Sequence, residues 1–104
     1  MPSNGNIQVS NMPKLDSFEE EKLKTTLAKS FDKLQKIVSN EILLHVHFKR
    51  HNATGRRAKH SVHLKLSLPG KTLVASESGW NTVNVLQKAL KALEREAIES
   101  VKRH

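Results

Sequence analysis

The hydrophobic period changes twice along this chain, and those changes constrain its fold more than any other feature. Leu23, Leu27, Phe31, Leu34 and Val38 recur at spacings of four, four, three and four, which puts them on one face of an α-helix. From Ile42 the period becomes two. Ile42, Leu44, Val46 and Phe48 alternate with Leu43, His45, His47 and Lys49, the pattern of a strand with one buried face. Val62, Leu64, Leu66 and Leu68 repeat it against Ser61, His63, Lys65 and Ser67. Pro69 and Gly70 then make a tight turn into a further strand, Lys71 to Ser76, with Leu73 and Ala75 facing inward, so these two strands form an antiparallel hairpin. After Ser78 and Gly79 the longer period returns, with Val83, Leu86, Leu90, Leu93, Ala97 and Val101 lining one helical face.

The start of the chain supplies the remaining elements. Asp16 or Ser17 can cap the first helix, and Glu19, Glu20 and Glu21 place negative charge in its first turn, where the helix dipole favours it. Upstream, Ile7 and Val9 alternate with Gln8 and Ser10 as a short edge strand, Asn11 to Ser17 is a loop, and Met1 to Gly5 is a small polar tail expected to be disordered. The order is therefore β-α-β-β-β-α. Strands with one apolar face must cover it, so both helices are expected on the same side of a four-stranded sheet, a two-layer α+β domain. The first two strands are then parallel, joined by a right-handed helical crossover. With 104 residues and no cysteine, the chain suits one packed domain, residues 6–104 behind a tail of 1–5, held by packing without disulfides or thiolate metal sites.

Charge narrows the partner. Eighteen Lys and Arg against ten Asp and Glu leave a net charge of +8, an excess that favours polyanions through release of condensed counterions. No apolar run reaches the roughly 18 to 20 residues needed to span a bilayer, and Met1 to Met12 lacks the layout of a secretory signal, so the chain reads as cytoplasmic with no membrane partner. Placement matters more than amount. At about 100° per residue, Lys22, Lys29, Lys33 and Lys36 all fall opposite the apolar stripe of the first helix. Lys88, Lys91, Arg95 and Lys102 likewise share one side of the last helix, apart from Glu96 and Glu99. Either ridge alone is ordinary surface lysine; two ridges on adjacent helices describe a surface for phosphates. The segment from Arg50 to His60 reads as a polar basic loop whose Arg50, Arg56, Arg57 and Lys59 can follow a phosphate backbone, although basic residues beside strands also discourage edge-to-edge aggregation.

Aromatic residues bear on the mode of binding. Phe31 and Phe48 fall on apolar faces and there is no tyrosine, which leaves Phe18 and Trp80 as the rings available for base stacking. Trp80, at a helix start, suits anchoring that helix to the sheet. Phosphate and shape contacts with structured RNA are thus favoured over base readout. His45, His47 and His63 can approach one another on neighbouring strands, so a zinc site of three imidazoles is conceivable, but no carboxylate or cysteine accompanies them and solvated surface histidines are the favoured reading. Mild acid would add them to the positive potential. A glycine-rich phosphate loop, a nucleophile elbow, a cysteine nucleophile and a HExxH pair are all absent, and no enzyme or cofactor is expected.

Several strings in this order resemble the ribosome hibernation promoting factors, also called ribosome-associated translation inhibitors, in their short single-domain form. They are Ile7-Gln8-Val9, then Ala28-Lys29-Ser30-Phe31-Asp32-Lys33-Leu34, and the stretch from His60 through Gly70. Val74-Ala75-Ser76-Glu77-Ser78 and Ala92-Leu93-Glu94-Arg95-Glu96 complete the set. The resemblance implies a fold similar to the double-stranded RNA-binding domain and a monomer that occupies the small ribosomal subunit, blocking messenger and transfer RNA sites by occupancy without chemistry or small-molecule substrate. It also implies ribosomal RNA contacts at Lys29, Lys33, Lys88, Lys91 and Arg95. The chain departs from the family in a longer loop after the first strand and an unusually charged Arg50 to His60 segment. It also lacks the carboxy-terminal domain through which long members pair ribosomes, so pairing by that route is not expected. Two other readings stand beside this one: a generic binder of structured RNA, and a histidine-based metal-binding protein.

Overall fold

The computed structural model describes residues 6–52 and 58–102. In chain order the elements are β1 (Ile7–Ser10), α1 (Ser17–Ile37), β2 (Leu43–Asn52), β3 (Ala58–Leu68), β4 (Lys71–Gly79) and α2 (Thr82–Lys102), the β-α-β-β-β-α order that the periodicity predicts. The strands form one sheet in the order β1-β2-β3-β4. β1 pairs parallel to β2, with Ile7 opposite Leu44 and Val9 opposite Val46, while β2–β3 and β3–β4 are antiparallel.

One side of this sheet carries the core. Leu44, Val46, Phe48, Val62, Leu64, Leu66 and Leu73 are buried with Leu23, Leu27, Phe31 and Leu34 of α1 and Val83, Leu86, Leu90, Leu93 and Ala97 of α2. Each large apolar side chain removed from water contributes about 1.5 to 3 kcal/mol. α2 also buries Val85 and Ala89, so its apolar surface is wider than the single stripe predicted. Val101, at the far end of that stripe, is exposed instead.

Local chemistry explains the boundaries. Asp16, rather than Ser17, caps α1: its side chain accepts a 2.7 Å hydrogen bond from the Glu19 backbone N–H. Asn81 does the same for α2, accepting from the Asn84 N–H at 3.0 Å, while β4 runs past Ser76 through Ser78 to Gly79. Gly70 closes the β3–β4 hairpin with a φ of +75°, a value that favours a residue without Cβ. Gly79 ends β4 where a Cβ would meet Val85 Cγ2 at 3.0 Å, so its lack of a side chain lets the first turn of α2 approach the sheet.

The segment from Arg50 to His60 is not simply a loop. The β2–β3 ladder runs on through Arg50 opposite His60, His51 opposite Lys59 and Asn52 opposite Ala58. Backbone pairing between two antiparallel strands needs no apolar residues, so the ladder continues past the end of the hydrophobic alternation. β4 extends in the same way to pair Gly79 with His60. Arg56 and Arg57, and the tail Met1 to Gly5, lie outside the described residues.

Candidate nucleic-acid interface

α1 packs against α2, and the line between them opens to solvent as a groove of about 720 Å³. Phe18, Glu21, Lys22, Thr25, Thr26, Lys29, Ser30 and Lys33 line it from α1, and Gln87, Leu90, Lys91 and Glu94 from α2. The two helical ridges therefore converge: Lys22, Lys29 and Lys33 face Lys91 across the gap. Lys36 continues the α1 ridge beyond the groove, while Lys88, Arg95 and Lys102 are exposed on α2 outside the groove lining.

The salt bridge from Lys24 to Glu20, at 3.5 Å and exposed, lies away from these residues. Among the described residues none of Lys22, Lys29, Lys33 and Lys91 forms an ion pair, so each ammonium is open to an incoming anion. Two carboxylates, Glu21 and Glu94, also line the groove. Glu94 is committed elsewhere: its Oε2 accepts a 2.6 Å hydrogen bond from the Ser30 hydroxyl, and Ser30 is itself buried. This bond ties the two helices together beside the groove. The sequence contained a signal for the pair, since Ser30 interrupts the apolar stripe of α1 next to Phe31, and Glu94 falls four residues after Leu90 and three before Ala97. A polar side chain in such a position needs a partner.

Phe18 rims the same groove at 76% exposure, whereas Phe31 and Phe48 are buried as predicted. Trp80 is half-exposed just before α2. What the groove can do chemically is hold a phosphate backbone between opposed ammonium groups, with threonine hydroxyls as further donors and no activated nucleophile.

Arg50 and Lys59 do not join this groove. Both sit on the β2–β3 arm, where Lys49, Arg50, His51 and Lys59 are all exposed, and alternation along the strands spreads their charge over both faces of the arm. His60 stands opposite Arg50. Burial, and then the neighbouring guanidinium, hold its imidazole below the ordinary range, so His60 adds little positive charge near neutral pH. On the sheet face away from the helices, His45 hydrogen-bonds Ser10 at 2.9 Å and the His47 and His63 rings lie 6.4 Å apart. Among the described residues no group of three or more His, Cys, Asp or Glu is arranged to hold a metal ion. No described helix is long and apolar enough to cross a membrane.

The model of the family described as "Hibernation factor Hib, C-terminal domain" matches residues 6–104. No curated protein matches the chain. Among solved structures, the crystal structure of the Thermus thermophilus Protein Y N-terminal domain aligns over 90% of this chain and 94% of that one, with a TM-score of 0.64 and 15% identity. A ribosomal subunit interface protein from Coxiella burnetii aligns over 93% of each chain, with a TM-score of 0.48 and 19% identity.

Proposed function

The chain belongs to the family of the hibernation factor Hib C-terminal domain, and from that membership we propose that it associates with the ribosome and holds ribosomal RNA of the small subunit in its inter-helical groove. It acts by occupancy: a domain seated there blocks the messenger and transfer RNA sites and keeps an idle ribosome silent, with no reaction catalysed. The observation that carries this reading is the groove itself, in which Lys22, Lys29 and Lys33 oppose Lys91 with no ion pair among the described residues.

Lysines spread along two helices suit phosphates of a folded RNA, where such contacts position the protein without reading sequence. The fold shared with the Protein Y domain supplies the framework on which both helices present their lysines to one side.

Sedimentation of the purified chain with ribosomal subunits through a sucrose gradient at low salt tests the proposal. Co-migration with the small subunit, and loss of messenger binding to that subunit, is the expected result. A protein that stays at the top of the gradient would refute it. Equal competition by subunits and by unrelated duplex RNA would replace it with a generic binder of structured RNA.

A further inference from the structure

The face of the sheet turned away from the helices carries four of the chain's six histidines. The register puts His45, His47, Lys49 and His51 of β2 on one side, with Lys65, His63, Ser61 and Lys59 of β3 opposite them and Ser67 further along the same face. β4 adds Thr72, Val74, Ser76 and Ser78, and β1 adds Gln8 and Ser10. No aspartate or glutamate occupies any of these strand positions, although the chain has ten acidic residues. Glu77, the acid within β4, pairs with Val62 and belongs to the other face.

We propose that this open face is a second RNA-binding surface, which takes the phosphates of an RNA segment other than the one in the groove and does so by protonation of its imidazoles. His45, His47, His63, Lys65 and Ser76 line a shallow depression together with Val74, so donors converge around one place instead of being scattered. His47 and His63 are direct cross-strand partners, with ring centroids 6.4 Å apart and planes tilted by 44°. Two imidazolium ions at that separation would repel. A phosphate seated between the rings reverses the balance, since each added proton then gains an anionic partner.

Anion binding on this face is therefore linked to proton uptake and should strengthen as pH falls. The charged or titratable groups on the face of the pair are His45 and Lys49 along β2, His51 beyond them, and Lys65 and Lys59 on β3, all of which favour an anion. From β1 and β4 the facing groups are Gln8, Ser10, Thr72, Val74, Ser76 and Ser78, which carry no charge. The inference rests on the proposed function only in taking RNA as the polyanion, because charge complementarity alone also admits an acidic protein.

Lysines stay charged across this range, so the groove and the sheet face separate by pH. The test titrates the full chain into a short fluorescent RNA duplex at about pH 7.5 and about pH 5.5, either side of the imidazole value, with stoichiometry from analytical ultracentrifugation. The wild type should bind roughly tenfold tighter or better at the lower pH and take up a second duplex there. The combined His45→Gln, His47→Gln and His63→Gln variant should lose that gain and keep the affinity at higher pH. Lys65→Gln alone, a single exposed change, should reduce the acid gain without removing it.

The Lys29→Gln, Lys33→Gln and Lys91→Gln variant should lose binding at the higher pH and keep the acid-dependent site. If this variant binds unchanged at higher pH, the groove reading fails while the sheet face stands. Equal affinity and one duplex at both pH values, or a histidine variant that behaves as the wild type, would overturn the proposal. Acid-dependent capture of polyglutamate without capture of a second duplex would also overturn it.

Discussion

Ser30 of α1 donates a 2.6 Å hydrogen bond to Glu94 of α2 across 64 positions of sequence, and Glu94 also lines the lysine groove. The carboxylate is needed as an acceptor, because Ser30 is buried and an unsatisfied hydroxyl there costs stability. Its charge is a separate matter.

Glu94→Gln keeps an acceptor for Ser30 and removes one charge from the groove. RNA affinity at low salt should rise about two- to fivefold, the scale of one exposed charge interaction. Ser30→Ala should instead lower stability by about 1 kcal/mol in urea unfolding. Tighter binding in Glu94→Gln without a large stability change separates the two roles; weaker binding would mean the carboxylate touches the RNA directly.

The groove lysines should set the salt dependence. Combining Lys29→Gln, Lys33→Gln and Lys91→Gln should flatten the slope of log affinity against log salt by about 0.7 to 0.9 for each phosphate that is no longer neutralised. Lys88→Gln, Arg95→Gln and Lys102→Gln together, outside the groove lining, should change that slope less. Equal effects from both sets would place the phosphates along the outside of α2.

Gly70 holds a φ of +75° with nothing within 4 Å of the position a Cβ would take, so the cost of Gly70→Ala is conformational and not a clash. The hairpin should lose about 1 to 2 kcal/mol of stability, while Gly70→Asn, a residue that tolerates this region, should lose less. Thermal unfolding of the two variants against the wild type measures the difference.

His60 gives a pH dependence of known sign. Its folded value is lowered, first by burial and then by Arg50, so the unfolded chain binds a proton more readily than the folded one. The contribution of His60 is intact above about pH 6.5, its unfolded value, and is lost as pH falls from there toward the lowered folded value. His60→Gln should therefore lose less stability than the wild type between neutral pH and about pH 5.5, read as the shift in urea midpoint.

Element order, strand pairing and most of the core were legible in the sequence because burial on one side of a helix or strand writes itself as a period. The stripes of α1, β2 and β3 are found where the spacing of Leu23 to Val38, Ile42 to Phe48 and Val62 to Leu68 puts them. The extension of the β2–β3 ladder past Phe48 was hidden, since Arg50, His51, Lys59 and His60 pair through their backbones in a region without apolar alternation. In the same way a helical wheel showed two lysine ridges without showing how they meet. Lys91 lines the gap with Lys29 and Lys33 whereas Lys88 and Arg95 do not, because only the packing of Leu90 and Leu93 fixes how α2 is rotated against its neighbour. Glu94 was legible as an acid near the apolar side, yet its partner Ser30 could be known only once the two helices were brought together.

The sheet order has a consequence for how the chain acquires its structure. β2, β3 and β4 follow one another as antiparallel neighbours, and the β3–β4 connection is only Pro69 and Gly70, so their pairing closes short loops at little entropic cost. β1 has no such nearby partner. Its four residues pair with β2 across the whole of α1, and that long closure is compensated only when the helix is already packed on the sheet. The parallel edge is thus expected to be the last rung to zip and the first to fray, and hydrogen exchange should find its amide protons lost sooner than those of the central strands.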